Sequence, residues 1–211
     1  MTRLIPTRLM LSLLAAAALT AGLSACVPLV VGGAAVSGAL VATDRRTSGA
    51  QLEDEGIELR ANNRLSENFG DRAHVNITSY NRQVLLTGEI PTAQDQQRLA
   101  DMIAKIENVR SVVNEVAVLG TSTLTQRSND SYITGKVKAT LVDAKDVQAN
   151  TVKVVTERST VYLMGRVTQR EATRISDLVR SVSGVQKVVR VFEILTDQEV
   201  QNLQTANKPA P

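Results

Sequence analysis

Aromatic side chains are nearly missing from this sequence: its 211 residues hold two Phe, three Tyr and no Trp. Proteins that track single-stranded nucleic acid stack bases on such rings, so nucleic acid is not an expected partner. A single cysteine and a single histidine provide no disulfide within the chain and make a structural zinc centre of the Cys/His kind unexpected. There is no nucleophile elbow, phosphate-binding loop or carboxylate cluster of metal spacing. His74, at the edge of an expected strand, reads as a partly exposed residue and not as a catalytic base. No enzymatic activity, cofactor or metal is expected.

Long apolar runs are also scarce, and the one at the N-terminus is informative. Arg3 and Arg8 precede an apolar segment, Leu9 to Ala21, of signal-peptide length and too short for a comfortable membrane span. Leu23-Ser24-Ala25 then leads to Cys26. A basic start, an apolar run and small residues before the lone cysteine resemble a bacterial lipobox. That resemblance implies removal of residues 1–25 as a lipoprotein signal peptide, acylation of Cys26 and tethering by acyl chains, which hold stably when two or more are present. Val27, where aspartate would favour inner-membrane retention, implies transfer to the outer membrane. Residues 26–52 read as a lipidated N-terminus, a small-residue run (Val27 to Ala42) and a polar linker (Thr43 to Gln51).

The remainder is an internal repeat. Val75-Asn76-Ile77 matches Val152-Lys153-Val154, and thirteen residues after each valine comes a glycine, Gly88 in VLLTGEI and Gly165 in VYLMGRV. Upstream, Ile57, Ala61 and Leu65 match Ile133, Val137 and Leu141. Periodicity predicts the same unit twice, over 53–120 and 121–196. A helix (Asp54 to Asn68; Ser131 to Val142) precedes a β-hairpin, a second helix (Thr92 to Ile106; Gln169 to Val182) and a third strand (Val112 to Leu119; Val188 to Leu195). The fold class is α+β: helix-strand-strand-helix-strand, with two helices packed on a three-stranded mixed sheet. Gly88 and Gly165 read as structural glycines, at places where a Cβ would obstruct the backbone. The tail, 197–211, is polar and reads as a frayed helix or disordered.

The segment Ser131 to Val142 holds the candidate site. Asn129, Asp130 and Ser131 are N-cap candidates. Ile133, Val137 and Leu141 form an ordinary core stripe. The opposite side, expected to be polar on a surface helix, instead aligns Tyr132, Gly135, Ala139 and Val142, flanked by Lys136 and Lys138. An apolar strip edged by lysines fits a bilayer interface or a partner protein; the alternative is a helix buried on both faces by the neighbouring domain. The aligned positions of the first copy, Gly56, Leu59, Asn63 and Ser66, form no such strip. Charge differs as well. Residues 53–119 hold seven Lys/Arg against eleven Asp/Glu, a net −4, and residues 121–196 hold twelve against seven, a net +5. A basic domain suits an anionic surface; opposite charges would also help the two domains dock.

The glycine closing the second strand (VLLTG, VYLMG) and the segment GVQKVVRVFEI resemble the BON domain. Lipobox, small-residue run, polar linker and tandem repeat together are similar to dual BON-domain outer-membrane lipoproteins. The resemblance implies that the second BON domain binds anionic phospholipid, phosphatidylglycerol or cardiolipin, through its first helix. By position this assigns Tyr132, Gly135, Lys136, Lys138, Ala139 and Val142. It further implies support of outer-membrane integrity, recruitment to division sites and a periplasm-facing location. Two rivals remain open: an adaptor for outer-membrane assembly proteins using the same strip, and a stress-associated envelope scaffold.

Overall fold

The computed structural model describes residues 44–206; Cys26, the expected signal segment and residues 207–211 lie outside the described residues. The first repeat comprises α1 (Ser48–Phe69), a short 3-10 turn (Gly70–Arg72), β1 (His74–Tyr80), β2 (Gln83–Ile90), α2 (Ala93–Ala104), β3 (Ser111–Asn114) and β4 (Ala117–Val118). The second comprises α3 (Leu124–Asp143), a 3-10 turn (Ala149–Thr151), β5 (Val152–Glu157), β6 (Thr160–Thr168), α4 (Gln169–Arg180) and β7 (Lys187–Leu195), followed by α5 (Asp197–Ala206). Each repeat has a mixed sheet. β1 and β5 run antiparallel to β2 and β6, and the third strand runs parallel to the second. β3 and β4 keep one register on β2, Val84 opposite Val112 and Glu89 opposite Ala117, so they are one expected strand interrupted at Glu115 and Val116.

Both first helices start earlier than the apolar pattern indicates. Thr47 caps α1 by accepting from the Ala50 amide, and Thr123 forms a capping box with Gln126 at the start of α3. The expected caps Asn129, Asp130 and Ser131 therefore lie inside α3. The first two turns of α3 add no residue to the buried core stripe, so they leave no apolar periodicity to read. The described part of the tail takes the first of its two expected forms, a helix: Thr196 and Glu199 exchange capping bonds at the start of α5, and Val200 is buried.

Asp130 has a different task. Its carboxylate accepts from the Arg158 and Ser159 amides, both at 2.8 Å. Asp54, the same position in the first repeat, accepts from the Asn81 and Arg82 amides, both at 2.7 Å. All four turn residues have positive φ, as the two-residue turns that match strand twist require. None is glycine, so a buried carboxylate holds each turn in a conformation that side chains disfavour.

Three apolar clusters build the molecule. One lies between α1, α2 and the first sheet, around Ile57, Leu86 and Ile103. A second lies between α3, α4 and the second sheet, around Val137, Leu163 and Ile175. The third joins the two sheets through Tyr80, Leu85, Tyr162, Met164 and Val191. The sheets pack back to back with the helices outside. This explains why β2 and β6 are apolar without alternation: both of their faces are covered.

The segment ahead of α1, expected as a polar linker, is built into this junction. Buried Arg45 makes a bidentate pair with Glu171, both contacts at 2.7 Å, and donates to the Arg166 carbonyl. Arg46 pairs with Asp54 and lies 4.2 Å over the Tyr80 ring. The hydrogen bonds from Arg45 hold the Glu171 carboxyl below its ordinary value, against the opposing effect of burial. A depressed carboxyl stabilises the fold above its unfolded pKa and ceases to do so as pH falls through the folded value. Arg45→Ala is accordingly expected to cost about 3 kcal/mol at neutral pH. The deficit should shrink in acid, below the ordinary glutamate range of about 4.3, and denaturant melts over a pH series check both points.

Candidate functional site

The outer face of α3 is the candidate site. Ile133, Val137 and Leu141 are buried, whereas Tyr132 is 65% exposed and Val142 69% exposed, on the opposite side of the helix. Gly135 and Ala139, between them, are exposed too. The second domain's first helix is therefore not buried on both faces. The earlier start of the helix adds a residue that the sequence pattern missed. Leu124, 78% exposed, falls on the same face as Val142 at about 100° per residue. Leu124 lies about 27 Å from Val142 at 1.5 Å per residue, separated from the Tyr132–Val142 strip by exposed Ser128 and Ser131 on the same face.

The two flanking lysines differ. Lys138 is exposed. Lys136 is half-buried: its ammonium donates to the Ser183 carbonyl and sits 4.7 Å from the centre of the Tyr132 ring. That cation–π contact, worth about 0.5 to 1 kcal/mol at an exposed site, favours a ring position at the edge of the strip. On α1 the exposed apolar residues are Leu52 and Leu59, so the first repeat is not free of apolar exposure. Its outer face, however, also carries exposed Glu55 and Glu67 and no lysine.

A second constellation lies at the junction of the repeats. His74 Nδ1 is 3.1 Å from Glu89 Oε2, which also accepts from the Ser122 amide. Glu157, from β5, accepts from Asn76 at 2.7 Å. Burial pushes the Glu157 carboxyl up; the Asn76 bond opposes this and the neighbouring Glu89 charge adds to it. The three side chains come from separate strands, with no local spacing to betray them in the sequence.

The model of the BON domain matches twice, over residues 53–120 and 129–196. The chain belongs to the BON-domain family. This BON protein is 38% identical over 175 residues to Outer membrane lipoprotein DolP of Haemophilus influenzae, covering 82% of this chain and 90% of that one. It is also 34% identical to the 21 kDa hemolysin of Actinobacillus pleuropneumoniae over 71% of this chain and 78% of the relative. Among solved structures, CdsD of the Chlamydia trachomatis type III secretion system aligns over 72% of this chain and 99% of its own, with 14% identity and a TM-score of 0.28, too distant to inform the site.

In both BON repeats the glycine of the second strand faces the first strand's valine, Gly88 opposite Val75 and Gly165 opposite Val152. A Cβ on Gly88 would lie 2.1 Å from the His74 carbonyl oxygen, and one on Gly165 would lie 2.5 Å from that of Thr151. Gly88 also has φ of +106°, a conformation that glycine adopts freely. The two glycines thus permit close strand approach and lie apart from the outer face of α3.

Proposed function

We propose that this protein is a non-enzymatic envelope lipoprotein whose second BON domain docks on anionic phospholipid through the outer face of α3. The observation that supports this best is an exposed apolar strip opposite the core stripe, edged by lysine, on the more basic of two otherwise similar domains. Tyr132, Gly135, Ala139 and Val142 enter the interface together with Leu124, and Tyr132 sits at the depth that amphipathic rings prefer. Lys138 meets head groups directly; Lys136 positions the ring. Similarity to an outer-membrane lipoprotein supports attachment to the outer membrane; in this reading Cys26 carries the acyl anchor, the BON domains lie in the periplasm, and the protein serves membrane integrity and acts at division sites. No helix among the described residues is long and apolar enough to cross a membrane, which fits an acyl anchor.

Vesicle co-sedimentation of a fragment covering 41–211, which keeps Arg45 and Arg46, tests the reading. Binding to phosphatidylglycerol or cardiolipin vesicles and not to phosphatidylcholine is expected, weakening with salt as exposed charges are screened within about 8 to 10 Å. Lys138→Glu should reduce partitioning about tenfold or more, since each basic residue near such a surface contributes about 1 kcal/mol and reversal counts twice. Equal binding to neutral and anionic vesicles would remove the role assigned to charge and leave the apolar strip alone as the membrane contact; binding to neither would favour a protein partner for the strip.

A further inference from the structure

His74, Glu89 and Glu157 converge from β1, β2 and β5, with one ligand-type atom from each lying within 4.8 Å of the others. Glu89 is 1% exposed, and although its Oε2 has two donors, its Oε1 is buried with no hydrogen-bond partner. Glu157 is 5% exposed. In their ionised form, two carboxylates this deeply buried require compensating charge. Among the described residues neither forms a salt bridge with lysine or arginine; the one ion-pair geometry involves His74. Arg127 lines the same cleft, but its guanidinium donates to the hydroxyl and carbonyl oxygens of Ser122.

We propose that His74, Glu89 and Glu157 bind a divalent transition-metal ion of the zinc class at the junction of the two BON domains. One imidazole and two carboxylates form a donor set that suits zinc, leaving a further position for water. At metal–ligand bonds of about 2.0 to 2.2 Å, tetrahedral donors stand about 3.3 to 3.6 Å apart. One ligand-type atom from each residue already lies within 4.8 Å of the others, so the donors need close by only about 1 Å. A cleft of about 240 Å³, lined by His74 and Glu157, gives solvent access. The orphaned Glu89 oxygen is the atom that gains a partner. Because Glu157 belongs to the second domain and the other two ligands to the first, the ion braces the two domains, with Ser122 on the connecting segment held in the same network.

The test uses the full chain in detergent, without a polyhistidine tag and with Cys26→Ser so that no thiol competes. Zinc titration by calorimetry should show one saturable site per chain. Zinc at about a hundredfold above its Kd should raise the melting temperature by about 5 to 10 °C. His74→Ala and Glu157→Gln, each melting near the parent without metal, should weaken binding at least tenfold and remove the shift. Glu89→Gln should do the same, and the His74 variant keeps the test valid if that deeply buried change unfolds the protein. Absence of a saturable site would overturn the proposal, as would zinc binding unaltered by His74→Ala and Glu157→Gln. A shift with Mg²⁺ but not Zn²⁺ would overturn the choice of ion class.

Discussion

Val137→Asp is expected to unfold the second BON domain, whereas Val142→Asp, five residues later in the same helix, should fold and lose vesicle binding. Val137 is fully buried against the second sheet and Val142 is largely exposed. An unpaired carboxylate at the first position meets an apolar core with no partner, at a cost above about 4 kcal/mol. At the second position the cost should not exceed about 1 kcal/mol, chiefly because an anion in the last turn opposes the helix dipole. Vesicle binding falls there for another reason: the new carboxylate faces anionic lipid within the apolar strip. Thermal melting and vesicle co-sedimentation on the same two proteins decide the matter. If the two variants melt alike, the strip is packed and the lipid reading loses its main support.

The other large effect is expected at the paired aspartates beneath the hairpins. Asp54 accepts from two turn amides, from the Ser79 hydroxyl at 2.6 Å and from Arg46 at 2.9 Å. Asp54→Ala leaves the two turn amides, both on residues held at positive φ, and the Ser79 hydroxyl without their acceptor and Arg46 with Asp44 alone, and should cost about 3 to 5 kcal/mol. Asp130→Ala loses the two amide bonds and should cost about 2 to 3 kcal/mol. Urea denaturation of both variants checks the ranking. Equal losses would mean that Arg46 and Ser79 add nothing to the first turn.

Much of this fold was legible because each repeat writes the same alternation twice, and Val75/Gly88 and Val152/Gly165 fall in equivalent registers. The helix starts were not. Periodicity reports where a helix touches a core, and the beginning of α3 touches none, so Leu124 escaped notice and Asp130 looked like a cap. The sheet-to-sheet layer was visible only as unbroken apolar strands, VLL and VYLM, a pattern that says both faces are covered but not by what. The polar stretch around Arg45 gave no sign of its role, because its partner Glu171 is 126 residues away. Residues separated this far, like His74 and Glu157, are brought together by topology alone.

The arginine pair ahead of α1 also determines how a pull on this molecule would be shared. Arg45 grips the second domain and Arg46 the first, so tension arriving along the chain from its N-terminal side enters at the seam and is divided between both domains. Were α1 alone the point of attachment, the load would fall on one small core and peel it away first. With the seam as the mooring point, the two domains resist together, and the bidentate Arg45 pair must break before the second domain can swing free.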